Sequence, residues 1–231
     1  MATVRYSRLP YHHGDLRRAL IEAALTLVTE EQEWSFSLRE VARRAGVSHN
    51  APYNHFPEKR DLLDAIAAVG FEHLRDGLAS SVVGVDTAEG MLAASGQAYV
   101  RLGTENPALY RLMFGPALAH SYGGIRPRLT RQAALAAKAA LDDMIVRGAR
   151  SGAFGISPEC RQDIALARLS IWSAAHGLTM LIIDRFAGGE VSTSDIVGRL
   201  IAIQIEGLRP LLAPRQPRLP NQPHNPAAQR S

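Results

Sequence analysis

Apolar residues recur along this chain at spacings of three and four, while alternation at period two, the mark of a half-buried strand, is nearly absent. The chain therefore reads as all-α. Leu16, Leu20, Ala23, Ala24, Leu27 and Val28 make one stripe and predict a helix over 14–31, ended by "EEQEWSF". Ser37 followed by Glu40 is a capping box opening a second helix, whose inner face is Leu38, Val41, Ala42 and Ala45 and whose stop is Gly46. Ser48 reads as a second N-cap, starting a helix of barely two turns that ends near His55. A longer helix follows Pro57 and runs through "EKRDLLDAIAAVGFEHLRDGL".

Further helices are expected over 88–105, from Pro107 through "NPALYRLMF", over 126–152, over 158–184 with Ser157-Pro158 as cap and first turn, and over 193–209. "GPALAHSYGGI" reads as a glycine-rich connection. The implied organisation is a basic N-terminal arm (1–13), a small helical unit (14–75), a larger helical unit (76–209) and a tail (210–231). That tail is rich in Pro, Gln and Asn and has no acid, so it is expected to be disordered.

Hydrophobic residues are 46% of the 231 and charged residues 21%, ample for a packed core. The net charge of +4 is compatible with a polyanionic partner without requiring one. A single cysteine, Cys160, excludes an internal disulfide and a multi-cysteine metal site, which points to a reducing cytoplasm. No apolar leader opens the chain. "IALARLSIWSAAHGLTMLII" nearly reaches membrane-spanning length, but Arg168 and His176 inside it favour a buried helix, so no membrane partner is expected.

Two short helices joined through Gly46 form a helix-turn-helix, whose second member can enter a DNA major groove. Ser48, His49, Asn50, Tyr53, Asn54 and His55 are polar or amphipathic, a composition a core helix would not carry. Helix starts at Ser48 and near Glu58 offer amides to phosphate oxygens. Lys59 and Arg60 oppose the dipole of their own helix, which suggests an external anion. Arg5, Arg8, His12, His13, Arg17 and Arg18 crowd the N-terminal side, where they could follow the DNA backbone. A helical hairpin with a solvated face fits the same pattern.

In the larger unit Tyr99, Tyr110, Met113, Phe114, Met144, Trp172, His176 and Met180 are candidates for the wall of a pocket, although each taken alone fits ordinary core better. The helix 158–184 is apolar nearly all round through Ile164, Leu166, Leu169, Ile171, Leu178, Leu181 and Ile182. With Ile196, Leu200, Ile203 and Ile205 it predicts a four-helix contact between two subunits. No paired carboxylates, nucleophile–base pair or phosphate loop has usable spacing, so no catalytic residue, cofactor or metal is expected. An all-α enzyme or carrier stands as the contrasting class.

"HHGDLRRALIEAALTLV" and "FSLREVARRAGVSHNAPYNHFPEKRDLLDAI" resemble the DNA-binding domain of the tetracycline-repressor (TetR/AcrR) family of bacterial transcription regulators, over nearly all of 12–67. "NPALYRLMFGP" with Trp172, His176 and Gly177 resembles the branch whose C-terminal domain is named after Trp-His-Gly. The resemblance implies a cytoplasmic homodimer of all-α subunits: a three-helix reading head on double-stranded operator DNA, and a larger C-terminal domain for dimerisation and for an apolar or amphipathic small-molecule effector. It puts Tyr53 on a phosphate, with Lys59 and the following helix's amides bracing the same strand. Ser37 and Ser48 become caps touching phosphate; His49, Asn50, Ala51 and Asn54 become base readers, with either His49 or Asn50 reaching a base. A ligand-independent activator or an architectural protein shares these features.

Overall fold

The computed structural model describes residues 16–31, 34–187 and 192–208. Among them are nine α-helices and no strand: α1 (Leu16–Glu31), α2 (Leu38–Arg44), α3 (Lys59–Ser81), α4 (Ala88–Glu105), α5 (Pro107–Phe114), α6 (Pro116–His120), α7 (Arg128–Arg150), α8 (Arg161–Ile183) and α9 (Thr193–Leu208). The all-α expectation holds. The expected arm 1–13 with Arg5, Arg8, His12 and His13, and the tail 210–231, lie outside the described residues.

α1 buries its predicted stripe, Leu20, Ala23, Ala24, Leu27 and Val28, against α2, α3 and α5. α3 is the axle of the molecule. Leu62, Ala65, Ile66, Ala67, Ala68 and Phe71 are all buried, because α1 packs on the helix's start and α4, α5 and α7 pack along it. The helix runs unbroken through residue 75, where the small unit was expected to end, so one continuous core joins the reading head to the C-terminal helices. Asp64, buried in α3, accepts the backbone amide of Thr130 at 2.8 Å and that of Leu129 at 3.3 Å, and so holds the first turn of α7.

α4 and α8 approach closely at Gly103. A Cβ there would stand 2.3 Å from Thr179 Cγ2, so only glycine lets the helices meet at this distance. Three expectations are corrected. The connection 115–125 contains a helix, α6. Ser157-Pro158 forms a turn, closed by Cys160 N–H on the Ser157 carbonyl at 3.1 Å, and α8 starts only at Arg161, because the buried Phe154 and Ile156 pin the preceding loop to the core. The helix after Ser48 is a single 3₁₀ turn, Ala51–Asn54.

Candidate nucleic-acid interface and ligand cavity

The shape of that short turn follows from Pro52. An α-helix begun at Ser48 needs the amide of residue 52 to close its first turn, and proline has none. The chain tightens instead: Ala51 N–H reaches the Ser48 carbonyl at 3.0 Å, and Tyr53 N–H reaches Asn50 at 3.2 Å. Asn50, not Ser48, stands at the cap position, and its side chain makes no capping bond.

The turn is anchored on both sides. Upstream, Ser37 and Glu40 form the predicted box, with Glu40 N–H on Ser37 Oγ at 3.2 Å and Ser37 N–H on Glu40 Oε2 at 2.6 Å. Accepting from the Ser37 backbone and hydroxyl holds the Glu40 carboxyl below its usual range. α2 ends at Gly46 (φ 70°), where Val47 N–H reaches Ala42 O and Gly46 N–H reaches Arg43 O, the two bonds of a Schellman stop. Downstream, Phe56 is buried beneath the Arg17 guanidinium.

With Pro52 and Phe56 turned inward, Ser48, His49, Asn50, Tyr53, Asn54 and His55 are all exposed, Ala51 is half-buried, and Ser37 is exposed at the start of α2. Eight of the nine residues expected at DNA are therefore open to solvent, seven of them in or beside the 3₁₀ turn. Arg39 and Arg43, exposed on α2, add cations that the sequence reading passed over. Their signal was the arginine run of α2 on the side opposite Leu38, Val41 and Ala42.

Lys59 is the ninth, and its geometry differs from the expectation. Its Nζ donates to the Trp34 carbonyl and lies 4.6 Å from the centre of the Phe36 ring; burial lowers its pKa. The ammonium group near the helix start is thus turned toward Trp34 and Phe36. The α3 amides are not open. Asp61 turns back to accept Glu58 N–H at 2.9 Å, and two carboxylates stand at that end. The indole of Trp34 donates in turn to the Ala108 carbonyl at 3.1 Å, tying the head to α5.

In the C-terminal helices a cavity of about 660 Å³ lies among α3, α4, α7 and α8, with Phe114 of α5 on its wall. Of the expected wall residues, Tyr99, Phe114 and Trp172 line it. Tyr110, Met113, Met144, His176 and Met180 do not, and packing accounts for four of them. Tyr110 and Met113 are fully buried, and Met144 Sδ accepts from Ser95 Oγ at 3.0 Å. His176 Nδ1 is 2.6 Å from Tyr110 Oη and 3.1 Å from Tyr99 Oη, with Trp172 Nε1 donating to Tyr99 Oη at 2.9 Å. Burial pushes the Tyr110 phenol up to about 12, raises that of Tyr99 further and lowers His176, so the cluster is neutral. Residues not singled out from sequence complete the wall: Phe71, Leu74 and Leu78 of α3, and the cations Arg126, Arg131, Lys138 and Arg168. Arg131 and Lys138 stand seven apart on the stripe of α7 that also carries Ala134, Leu135 and Leu141, a spacing legible in the sequence.

A family model for bacterial regulatory proteins of the tetR family matches residues 20–66, and one for the tetracyclin repressor-like C-terminal domain matches residues 92–203. An uncharacterized HTH-type transcriptional regulator of Haemophilus influenzae is 30% identical over 99 residues, 42% of this chain and 48% of its own; the match thus spans about half of that relative's length. A Rhodococcus sp. RHA1 protein of unknown function has a solved structure similar at TM-score 0.74 and 29% identity, over 87% of this chain and 98% of that one. The fatty acid degradation regulator FadR of Bacillus halodurans is similar at TM-score 0.64 over 86% and 99%, and at 18% identity this likeness concerns the fold alone.

Proposed function

The chain belongs to the tetR family of bacterial regulatory proteins, and on that premise we propose that it is a cytoplasmic homodimeric repressor, released from its operator by a small apolar or amphipathic ligand. That it is a DNA-binding transcriptional regulator follows from the family. The observation that carries the reading is the outward set Ser48 to His55, held on a short turn whose apolar members Pro52 and Phe56 are buried. A major groove about 12 Å wide admits such an element, and polar tips without core duties are what base edges and phosphates require.

In this reading His49, Asn50, Ala51 and Asn54 face bases, while Ser37, Ser48, Tyr53 and His55 meet the backbone together with Arg39 and Arg43. Phosphate contacts fix register and base contacts carry sequence. Lys59 acts from behind, holding Trp34 and Phe36 under the head. Dimerisation is supported by the outer faces of α8 and α9, where Leu181 and Ile203 stand exposed away from the cavity and Ser170 bonds Gln204 at 2.5 Å. A second copy would bury that surface and set two heads on half-sites about 34 to 36 Å apart. Ligand in the cavity releases DNA only if it binds the released arrangement more tightly than the bound one.

Duplexes enriched from a random pool by the purified full-length chain test the docking. Asn54→Ala is expected to cost roughly 1–3 kcal/mol and relax preference at one position of each half-site; Tyr53→Phe is expected to weaken all duplexes alike. Unchanged affinity in both variants, measured by fluorescence anisotropy, removes this surface from the interface.

A further inference from the structure

The wall of the C-terminal cavity is mostly apolar, yet four cations border it, Arg126, Arg131, Lys138 and Arg168, and no carboxylate does. Two acids stand nearby, Asp142 and, on the amide of Thr130 beside Arg131, Asp64. Asp142 accepts from Arg168 at 2.7 Å and lies 3.8 Å from Lys138, so a single carboxylate serves two cations there. Toward α5, Asp64 is committed to the Leu129 and Thr130 amides and to the Thr130 hydroxyl rather than to a guanidinium. Arg126 donates from both Nη atoms to the carbonyls of Met113 and Phe114, which satisfies the open end of α5 without neutralising the charge. Arg131, in the first turn of α7, has no acidic partner among the described residues. A guanidinium with unspent N–H groups at the edge of an apolar cavity pairs best with a planar carboxylate.

We infer that the cavity takes an amphipathic acid, its carboxylate held by Arg126 and Arg131 and its apolar body laid along α7 toward Leu141, between Leu74 and Leu78 of α3 and Ile171 of α8. The inference rests on the reading of these helices as a ligand sensor and names the ligand's chemistry. From Arg131 to Leu141 α7 advances about 15 Å, enough for an extended hydrocarbon body. The charge requirement separates this class from the neutral apolar compounds that the same wall would otherwise accept. Lys138 and Arg168, already sharing Asp142, contribute less to head-group binding.

N-phenyl-1-naphthylamine, a neutral dye that fluoresces when buried, reports occupancy of the apolar body in the full-length protein at about pH 8, where a carboxylic acid is ionised. Dodecanoate and dodecan-1-ol then compete with it, each below its aggregation threshold. Dodecanoate is expected to displace the dye at about one tenth of the dodecanol concentration or less, as one charge-assisted pair predicts. Arg131→Gln, an exposed position that leaves packing alone, is expected to erase most of that advantage; Arg126→Gln does the same from the other side. Equal displacement by acid and alcohol, or an advantage surviving both substitutions, overturns the anionic class while leaving an apolar pocket intact. Absence of dye binding, with neither competitor raising the melting temperature, overturns the sensor reading itself and this inference with it.

Discussion

Around His176 the donors and acceptors suit a ring that is bare at Nδ1. Tyr99 and Tyr110 hydroxyls lie 2.9 Å apart, both within reach of Nδ1, and Trp172 already donates to Tyr99. With Nδ1 bare, one hydroxyl donates to it and the other donates to the first, so a neutral ring completes the chain of bonds. Burial acts in the same direction and lowers the imidazole below its ordinary 6.5. The sign for stability follows. Above about pH 6.5 the ring is neutral in both folded and unfolded chains and the cluster's contribution is complete; below it the unfolded chain takes up the proton first, so stability falls until the folded ring titrates too. The melting temperature is expected to be level from about pH 8 to 7 and to decline below about 6.5, and His176→Gln, which keeps an acceptor, is expected to flatten the decline between about pH 6.5 and 5.5. Identical slopes in calorimetry for both proteins would show that His176 is not the titrating group. Trp172 and His176, one helical turn apart on α8, both bond Tyr99.

At the scale of elements, local rules were legible wherever the controlling groups are close in sequence. The box at Ser37 and Glu40, the stop at Gly46 and the buried stripe of α1 all follow from neighbours within one or two turns. The Gly46 stop has a measurable weight. Gly46→Ala puts a Cβ into a left-handed conformation and is expected to cost about 1–2 kcal/mol, with Gly46→Asn costing less. Denaturant unfolding checks this, and a null effect in Gly46→Ala would mean the turn is not fixed as the two Schellman bonds indicate. Where the sequence reading erred, a longer-range term had won. Lys59 looked like a misplaced cation because Trp34 and Phe36, its true partners, are 25 and 23 residues upstream. At Pro52 the missing amide turns the helix expected after Ser48 into a 3₁₀ turn. Of the aromatic and sulfur side chains expected on the cavity wall, only three line it; its cations were passed over because periodicity alone does not say which face of α7 meets α3 and α8.

In the whole molecule the head and the cavity are joined by α5, eight residues long and so about 12 Å. Ala108 near its start accepts from Trp34 of the head; Phe114 at its end lines the cavity, under the grip of Arg126. A change at the cavity mouth therefore has a short rigid element through which to reach the reading head. What a monomer lacks is a cover for α8 and α9. By length and composition α8 could cross a bilayer, yet it packs on α4, α7 and α9, and its Arg168 is paired with Asp142. In the proposed dimer a second copy would cover the exposed Leu181 and Ile203 with apolar surface of the same kind. Leu181→Glu together with Ile203→Glu, both away from the cavity wall, would set four carboxylates facing one another across a two-fold contact. Sedimentation at micromolar concentration is expected to show a monomer with unchanged helical circular dichroism. Binding to a duplex with two half-sites is expected to fall by about 10²–10⁴, the gain that linking two heads confers, while the weak affinity for a single half-site stays within about twofold. A double variant that still sediments as a dimer would put the subunit contact on another face of the molecule, and the spacing of the two heads would then be set by helices other than α8 and α9.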